Sequence, residues 1–199
     1  MKPARSARAD RAPPTPMPRT LERTTTRLVL VAATLEHVEA ELRGRDALQA
    51  LLGADVPDAW PPGEYDRAAQ AFFRDRLAAG GDAWVGWLTW YAIARTEAGA
   101  RGELVAGAGF FGPPSDGAVE VGYSVVPAAR GRGYAAEIVA ALCAHAFSHD
   151  AVQRVVARTT RENVPSWRAL LRCGFAEAAD AEPGAVAYVL PRGAFVTRG

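Results

Sequence analysis

The chain has 199 residues, enough for one domain with a substantial core and too few for two comfortable ones. With 49% apolar and 23% charged residues it has the balance of an ordinary globular protein. The net charge of +1 hides a basic start: Lys2, Arg5, Arg8, Arg11, Arg19 and Arg23 face only Asp10 and Glu22 within residues 1–23, so the remainder is mildly acidic and offers no broad field for nucleic acid.

Residues 1–23 contain Pro3, Pro13, Pro14, Pro16 and Pro18 and almost no apolar side chains. Such a segment cannot bury enough surface to offset its ordering entropy, and it is expected to be a mobile tail. No apolar run follows its basic residues, so it does not read as a secretory signal. The folded domain is expected over residues 24–199. Arg27 to Ala32 is a short apolar run suited to a buried first strand. Thr34 is placed to cap a helix running through about Leu52, with Leu35, Val38 and Leu42 on one face. Pro57, Pro61, Pro62 and Gly63 interrupt the pattern, and a second helix is expected from about residue 64 to 79.

Beyond Gly80 and Gly81 the character changes. Residues 83–94 and 103–111 are rich in aromatic and β-branched residues and predict two strands, with Trp84, Gly86, Leu88 and Trp90 alternating with Val85, Trp87, Thr89 and Tyr91. One aromatic face of the first could line an acceptor cleft. A third strand, 118–126, stops at Pro127. A helix follows from about 131 to 148, with Ile138, Val139 and Leu142 at helical spacing. A strand at 154–159, a helix at about 163–172 and two short strands near 175–178 and 185–190 complete an order β-α-α-β-β-β-α-β-α-β-β. No stretch approaches the roughly 18 apolar residues of a membrane span. Cys143 and Cys173 sit in apolar helical patterns with no CxxC or histidine spacing. Both are expected to be buried thiols, which suits a reducing, cytoplasmic setting and no metal. His37, His145 and His149 are read as structural.

The most informative stretch is 120–137, where a strand stops at proline and Gly131 and Gly133 then open an amphipathic helix. Free N–H groups and the positive dipole end make such a helix start a seat for phosphate, glycine allows close approach, and Arg130 and Arg132 add charge. A tight turn into a core helix would give the same letters. No Gly-Lys-Ser/Thr is present, so a P-loop is excluded. Gly131-x-Gly133-x-x-Ala136 fits a loose dinucleotide pattern, but four residues separate it from its strand and about 120 residues precede it, so a nicotinamide-dinucleotide enzyme is a weak rival.

Arg130-Gly131-Arg132-Gly133-Tyr134-Ala135 resembles the Q/R-x-x-G-x-G/A signature of GCN5-related N-acetyltransferases. The preceding VGYSVVP, the later Asn163-Val164-Pro165-Ser166 and the Gly174-Phe175 pair are similar to the ribosomal-protein N-acetyltransferase branch. The resemblance covers about residues 24–191. It implies an α/β (α+β) acyl-CoA N-acyltransferase fold: a mixed, twisted central sheet of about six to seven strands with helices on both faces.

It also implies roles. Amides from about Gly131 to Ala136 would hold the pyrophosphate of acetyl-CoA, which serves as cosubstrate without a metal. The pantetheine would add to the splayed end of strand 120–126. A backbone N–H near Val125 or Val126 would polarise the thioester carbonyl. Asn163 would steady the pantetheine, and Ser166 would protonate the departing thiolate. The chemistry itself asks for a base, because an amine attacks only when neutral and is mostly protonated at pH 7. Glu120 is the candidate. Asn163 is equally placed to cap the next helix, Ser166 to be an exposed hydroxyl, and Glu120 to face solvent. A non-catalytic acyl-CoA sensor on the same fold is the principal alternative. The amine acceptor is not specified; it is a protein N-terminus or a small-molecule amine. A homodimer is compatible with these letters and not required by them.

Overall fold

Leu28–Ala32 (β2) is apolar at every position, and all five residues are buried, as a strand covered on both faces requires. Leu28, Leu30 and Ala32 enter one core cluster, whereas Val29 and Val31 enter another, the period-two alternation of a sheet between two helical layers. The computed structural model describes residues 20–63, 65–178 and 184–196; most of the expected tail, residues 1–19, lies outside them. The sheet comprises β1 (Glu22–Thr24), β2, β3 (Thr89–Arg95), β4 (Arg101–Phe110), β5 (Ala118–Val125), β6 (Arg154–Thr159), β7 (Ala176–Glu177) and β8 (Val186–Pro191). Its order is β1-β2-β3-β4-β5-β6-β8-β7. Every neighbouring pair is antiparallel except β5 and β6, which are parallel. Helices α1 (Leu35–Arg43), α2 (Arg45–Leu52) and α3 (Arg67–Gly80) cover one face; α4 (Tyr134–Phe147) and α5 (Val164–Arg172) cover the other.

Four expectations change. Among the described residues the sheet has eight strands, because Glu22–Thr24 pairs with β2. Strand pairing therefore begins before residue 24, and Leu21 already packs on the core. The single helix expected over 34–52 is two helices. Gly44, at φ 140°, ends α1 and starts α2, a backbone conformation that glycine reaches without a Cβ penalty. The aromatic run 83–94 is only partly a strand: Gly81–Trp84 forms a 3₁₀ turn, the Trp87 amide donates to the Trp84 carbonyl, and β3 starts at Thr89. Its alternation therefore did not mark one continuous strand; before Thr89, Trp84 packs at the end of α3, whereas Trp87 packs on Phe110, His145 and His149. Helix α4 begins at Tyr134 rather than near Gly131.

The thiols and histidines are packing groups. Neither cysteine is in a disulfide. Cys143 is buried and its thiol pKa is pushed up by that burial, while Cys173 is half-buried with Sγ 3.2 Å from the Ala136 carbonyl. His37 closes a capping box with Thr34 at the head of α1. His145 is 3% exposed and lies against Trp87, Trp90 and Phe110. Burial, helped by the positive charge of His149 and Arg23, lowers its pKa to about 4. The unfolded chain takes up this proton near pH 6.5 and the folded chain does not, so stability present above pH 6.5 is lost as pH falls towards 4. Thermal midpoints of His145→Phe should therefore fall less steeply over this interval than those of the unaltered protein. Parallel curves would place the acid sensitivity elsewhere.

Candidate active site

Among the named strands of the described residues, β5 and β6 form the one parallel pair, and it is the shortest internal seam. Residues Ala118, Val119 and Glu120 of β5 register with Arg154, Val155 and Val156 of β6, and beyond that point the strands part. From Val121 to Val125, β5 keeps only β4 as a partner and leaves one edge open. The phase of that edge is fixed by two bonds. The Phe111 amide donates to the Glu120 carbonyl (3.2 Å), and the Val126 amide donates to the Val105 carbonyl (2.9 Å). Successive residues of a strand turn their polar groups to opposite neighbours, so Tyr123 and Val125 direct theirs into the fork. The Val125 carbonyl confirms this by accepting from Arg130 Nε at 3.0 Å. Of the two amides named as oxyanion donors, Val125 remains available. Val126 does not: its N–H is spent inside the sheet.

Two clefts of about 530 Å³ and 770 Å³ open on this fork. They share Tyr123, Ser124, Asn163 and Ser166 as lining residues. The larger runs past Val125 and Arg130 to the head of α4, where Gly131, Gly133, Tyr134 and Ala135 line it. Gly133 is the N-cap at φ 81°, ψ 5°, with no side-chain cap on the first-turn amides. Gly131 has φ 75°, and a Cβ there would meet no atom within 4 Å. The helix head is thus bare, dipole-positive and open to a ligand, which fits a diphosphate. Arg132 does not line this cleft. Arg168 and Arg172, on α5, do, and they supply positive charge that the sequence motif did not reveal.

The loop is held from the far side by Arg27, a residue outside the motif. Its Nη1 donates to the Arg132 carbonyl (2.8 Å), its Nε donates to Glu137 Oε2 (2.7 Å), and its guanidinium lies 4.9 Å above the Tyr134 ring. Glu137 also accepts from the Thr25 hydroxyl (2.6 Å) and the Arg27 amide (2.9 Å). Burial alone would raise the Glu137 pKa, but these bonds outweigh it and hold the carboxyl below its ordinary range. The clamp therefore stays ionised near neutrality and fixes the height of the loop over α4.

Asn163 caps α5 through its Oδ1, which accepts from the Ser166 amide (3.3 Å), and it lines both clefts. The Tyr123 hydroxyl donates to the Ser166 carbonyl (3.0 Å), and its oxygen lies 2.9 Å from Ser166 Oγ. Burial pushes the Tyr123 pKa up to about 12, so the phenol keeps its proton at neutral pH. Tyr123 lies within the VGYSVVP stretch, but only its pairing with β4 shows that it faces the fork. Glu120 lines the smaller cleft and is ion-paired to Arg158 of β6. The histidines take no part among these lining residues.

The smaller cleft is walled by aromatic rings, and its outer wall is anchored by a buried acid. Glu41 on α1 accepts from Trp60 Nε1 (2.6 Å), Tyr91 OH (2.7 Å), Tyr65 OH (2.9 Å) and Gln70 Nε2 (3.1 Å). Tyr65 lines the cleft and is pinned from its other side by the Thr89 hydroxyl at 3.3 Å.

A mixed sheet whose parallel pair forks beneath an uncapped helix head defines the acyl-CoA N-acyltransferase class of fold. Residues 27–176 match the acetyltransferase (GNAT) domain family, and the chain belongs to that family. It is 29% identical over 125 residues, 62% of this chain and 71% of the relative, to an uncharacterised N-acetyltransferase, YjdG, of Bacillus subtilis. Among solved structures it resembles a GNAT-family acetyltransferase from Bordetella pertussis, at 27% identity and TM-score 0.55, covering 85% of this chain and 97% of that one. A ribosomal-protein-S5-alanine acetyltransferase from Vibrio fischeri has the same fold, at TM-score 0.59 and 13% identity over 88% of this chain and 99% of that one. No helix among the described residues is long and apolar enough to cross a membrane.

Proposed function

We propose that the protein transfers an acetyl group from acetyl-CoA directly to a primary amine in the cytoplasm. The observation that carries this reading is that two clefts meet at Tyr123, Ser124, Asn163 and Ser166, one reaching the bare head of α4 past the open edge of β5 and the other holding Glu120. Residues Gly131 to Ala135 and the guanidinium groups of Arg130, Arg168 and Arg172 would hold the diphosphate. The pantetheine would extend the sheet along Val121–Val125, with Asn163 beside it. The Val125 amide would face the thioester carbonyl as charge develops on its oxygen.

At the fork the neutral amine attacks the carbonyl carbon, and the carbon–sulfur bond breaks. Glu120 takes the proton from the amine, and Ser166 gives one to the sulfur. Glu120 then releases its proton to solvent and Ser166 regains one from solvent, while Tyr123, 2.9 Å away and still protonated at neutral pH, holds the Ser166 hydroxyl in place. A thiol with an ordinary pKa of about 8.5 needs only this modest help. The ion pair between Glu120 and Arg158 favours a second reading, a sensor that binds acyl-CoA without turnover, because a carboxylate engaged by a guanidinium is not free to meet the amine.

Thiol release from acetyl-CoA across an amine panel, together with calorimetry of CoA, separates the two. Glu120→Gln should lower kcat/KM at pH 7 by about 10²–10⁴, the usual contribution of a positioned base, while CoA affinity stays within about twofold, since the substitution is isosteric and remote from the phosphate site. CoA binding with no thiol release from any amine would support the sensor. Absence of CoA binding would sink both.

A further inference from the structure

The smaller cleft carries a chemical description of its acceptor, on the reading that this site performs amine acetylation. Among the described residues lining it, Glu120 and Arg158 are the only charged ones, and they neutralise each other. The rest of the wall is uncharged and includes six aromatic rings: Tyr65, Phe72, Phe73, Phe110, Phe111 and Tyr123. Two of these rings are unusually open, Phe72 at 41% and Phe111 at 57% exposed. Exposed rings that share one concavity are a surface that wants an apolar occupant.

We infer that the acceptor is a small amino acid-like molecule, bearing one amine, one neighbouring carboxylate and an aromatic or bulky apolar side chain. The ion pair decides this. Its two side chains are 48% and 31% exposed, and a pair so open is held weakly. While Arg158 engages Glu120, that carboxylate is not free to meet the ammonium of an acceptor. An acceptor carboxylate is the group that draws the guanidinium away, because bidentate pairing with a carboxylate is what arginine does best. The exchange keeps charge balanced: the substrate carboxylate takes Arg158, and its ammonium takes Glu120. The freed carboxylate then accepts the ammonium proton and passes it to solvent, after which the neutral nitrogen attacks as described above. The apolar side chain lies against Phe72, Phe73 and Phe111.

The same geometry disfavours other amines. A polyamine or aminoglycoside brings several positive charges to a cleft with one carboxylate, already paired. A peptide N-terminus places an uncharged amide where the carboxylate should be, leaving Arg158 on Glu120. A cleft of about 530 Å³ also sits within the size range of sites for small molecules.

Calorimetry on the CoA-saturated protein tests this with L-phenylalanine, L-phenylalaninamide, spermidine and a short peptide beginning with alanine; thiol release with acetyl-CoA is measured on the same four. L-Phenylalanine should bind at least about tenfold more tightly than its amide, the lower end of what a charge-assisted bond to a carboxylate contributes. In Arg158→Gln that ratio should fall to about one, a readout that loss of general stability would not give. Equal binding of acid and amide to the unaltered protein, or preference for spermidine or the peptide, overturns the inference. Preferred binding of L-phenylalanine without thiol release would keep the acceptor class and sink the transfer reading. Thiol release confined to spermidine or the peptide would do the reverse, and no binding with no release would overturn both.

Discussion

Replacing Glu41 by alanine is expected to destabilise the domain by on the order of 4 kcal/mol, because it leaves several buried donors without an acceptor, each costing about 1–3 kcal/mol. Trp60 Nε1, Tyr65 OH, Tyr91 OH and Gln70 Nε2 all converge on this carboxylate, which is 7% exposed. In a protein of this length, such a loss lowers the thermal midpoint by about 10 °C. Burial raises the Glu41 pKa, and the four hydrogen bonds oppose it without cancelling it. The folded protein therefore binds this proton more readily than the unfolded chain does. Stability contributed below the ordinary glutamate pKa is lost as pH rises through the folded value. His145 acts in the opposite direction over part of this range, so the comparison that isolates Glu41 is the unaltered protein against Glu41→Gln. Subtracting the two midpoint curves should leave a slope that falls with pH above 4.5. A flat difference would show that the carboxyl titrates normally, and a midpoint drop of under 2 °C in Glu41→Ala would show that water replaces it at little cost.

The network explains why one part of the molecule was legible in its letters and another was not. The strand–loop–helix of 118–147 announces itself locally: apolar alternation, a terminating proline, two glycines and a helical period all lie within thirty residues. Strand β6 falls at 154–159 as expected because its flanks are polar and its interior β-branched. By contrast, Glu41, Trp60, Tyr65 and Tyr91 are scattered over fifty positions, and only the pairing of α1 with the segment after α2 brings them together. No window of the sequence contains that contact. The same is true of Arg27, whose value lies in reaching the Arg132 carbonyl across the sheet end. The break at Gly44 and the turn at 81–84 failed for a different reason. Each sits inside a run whose hydrophobic pattern continues through it, so periodicity alone could not show where the backbone turned. Which of the two proposed oxyanion amides is free depends on strand phase, which is set by pairing with β4. The resemblance implied Val125 or Val126 without choosing between them.

Gly131→Asp should weaken CoA binding by roughly 10–100-fold more than Gly131→Asn does, the range given by one like-charge contact of about 1–3 kcal/mol near a protein surface. The pair of substitutions separates charge from shape. Gly131 is at φ 75°, a region that asparagine and aspartate enter more readily than other side chains. The space around a Cβ is empty to 4 Å, so neither residue collides with the protein. Both variants should therefore fold, with similar midpoints, and any bulk effect on the ligand is common to both. What differs is one negative charge beside the amides at the head of α4. If the diphosphate sits there, aspartate opposes it and competes for the same N–H groups, whereas asparagine does not. The difference should shrink as salt rises from about 0.05 to 0.5 M, because an exposed interaction is screened over a Debye length that shortens across that range. Adenosine, which lacks the diphosphate, should not distinguish the variants. Equal affinity of the two variants for CoA at low salt would place the phosphates away from this helix, and the larger cleft would lose the feature that identifies its cosubstrate.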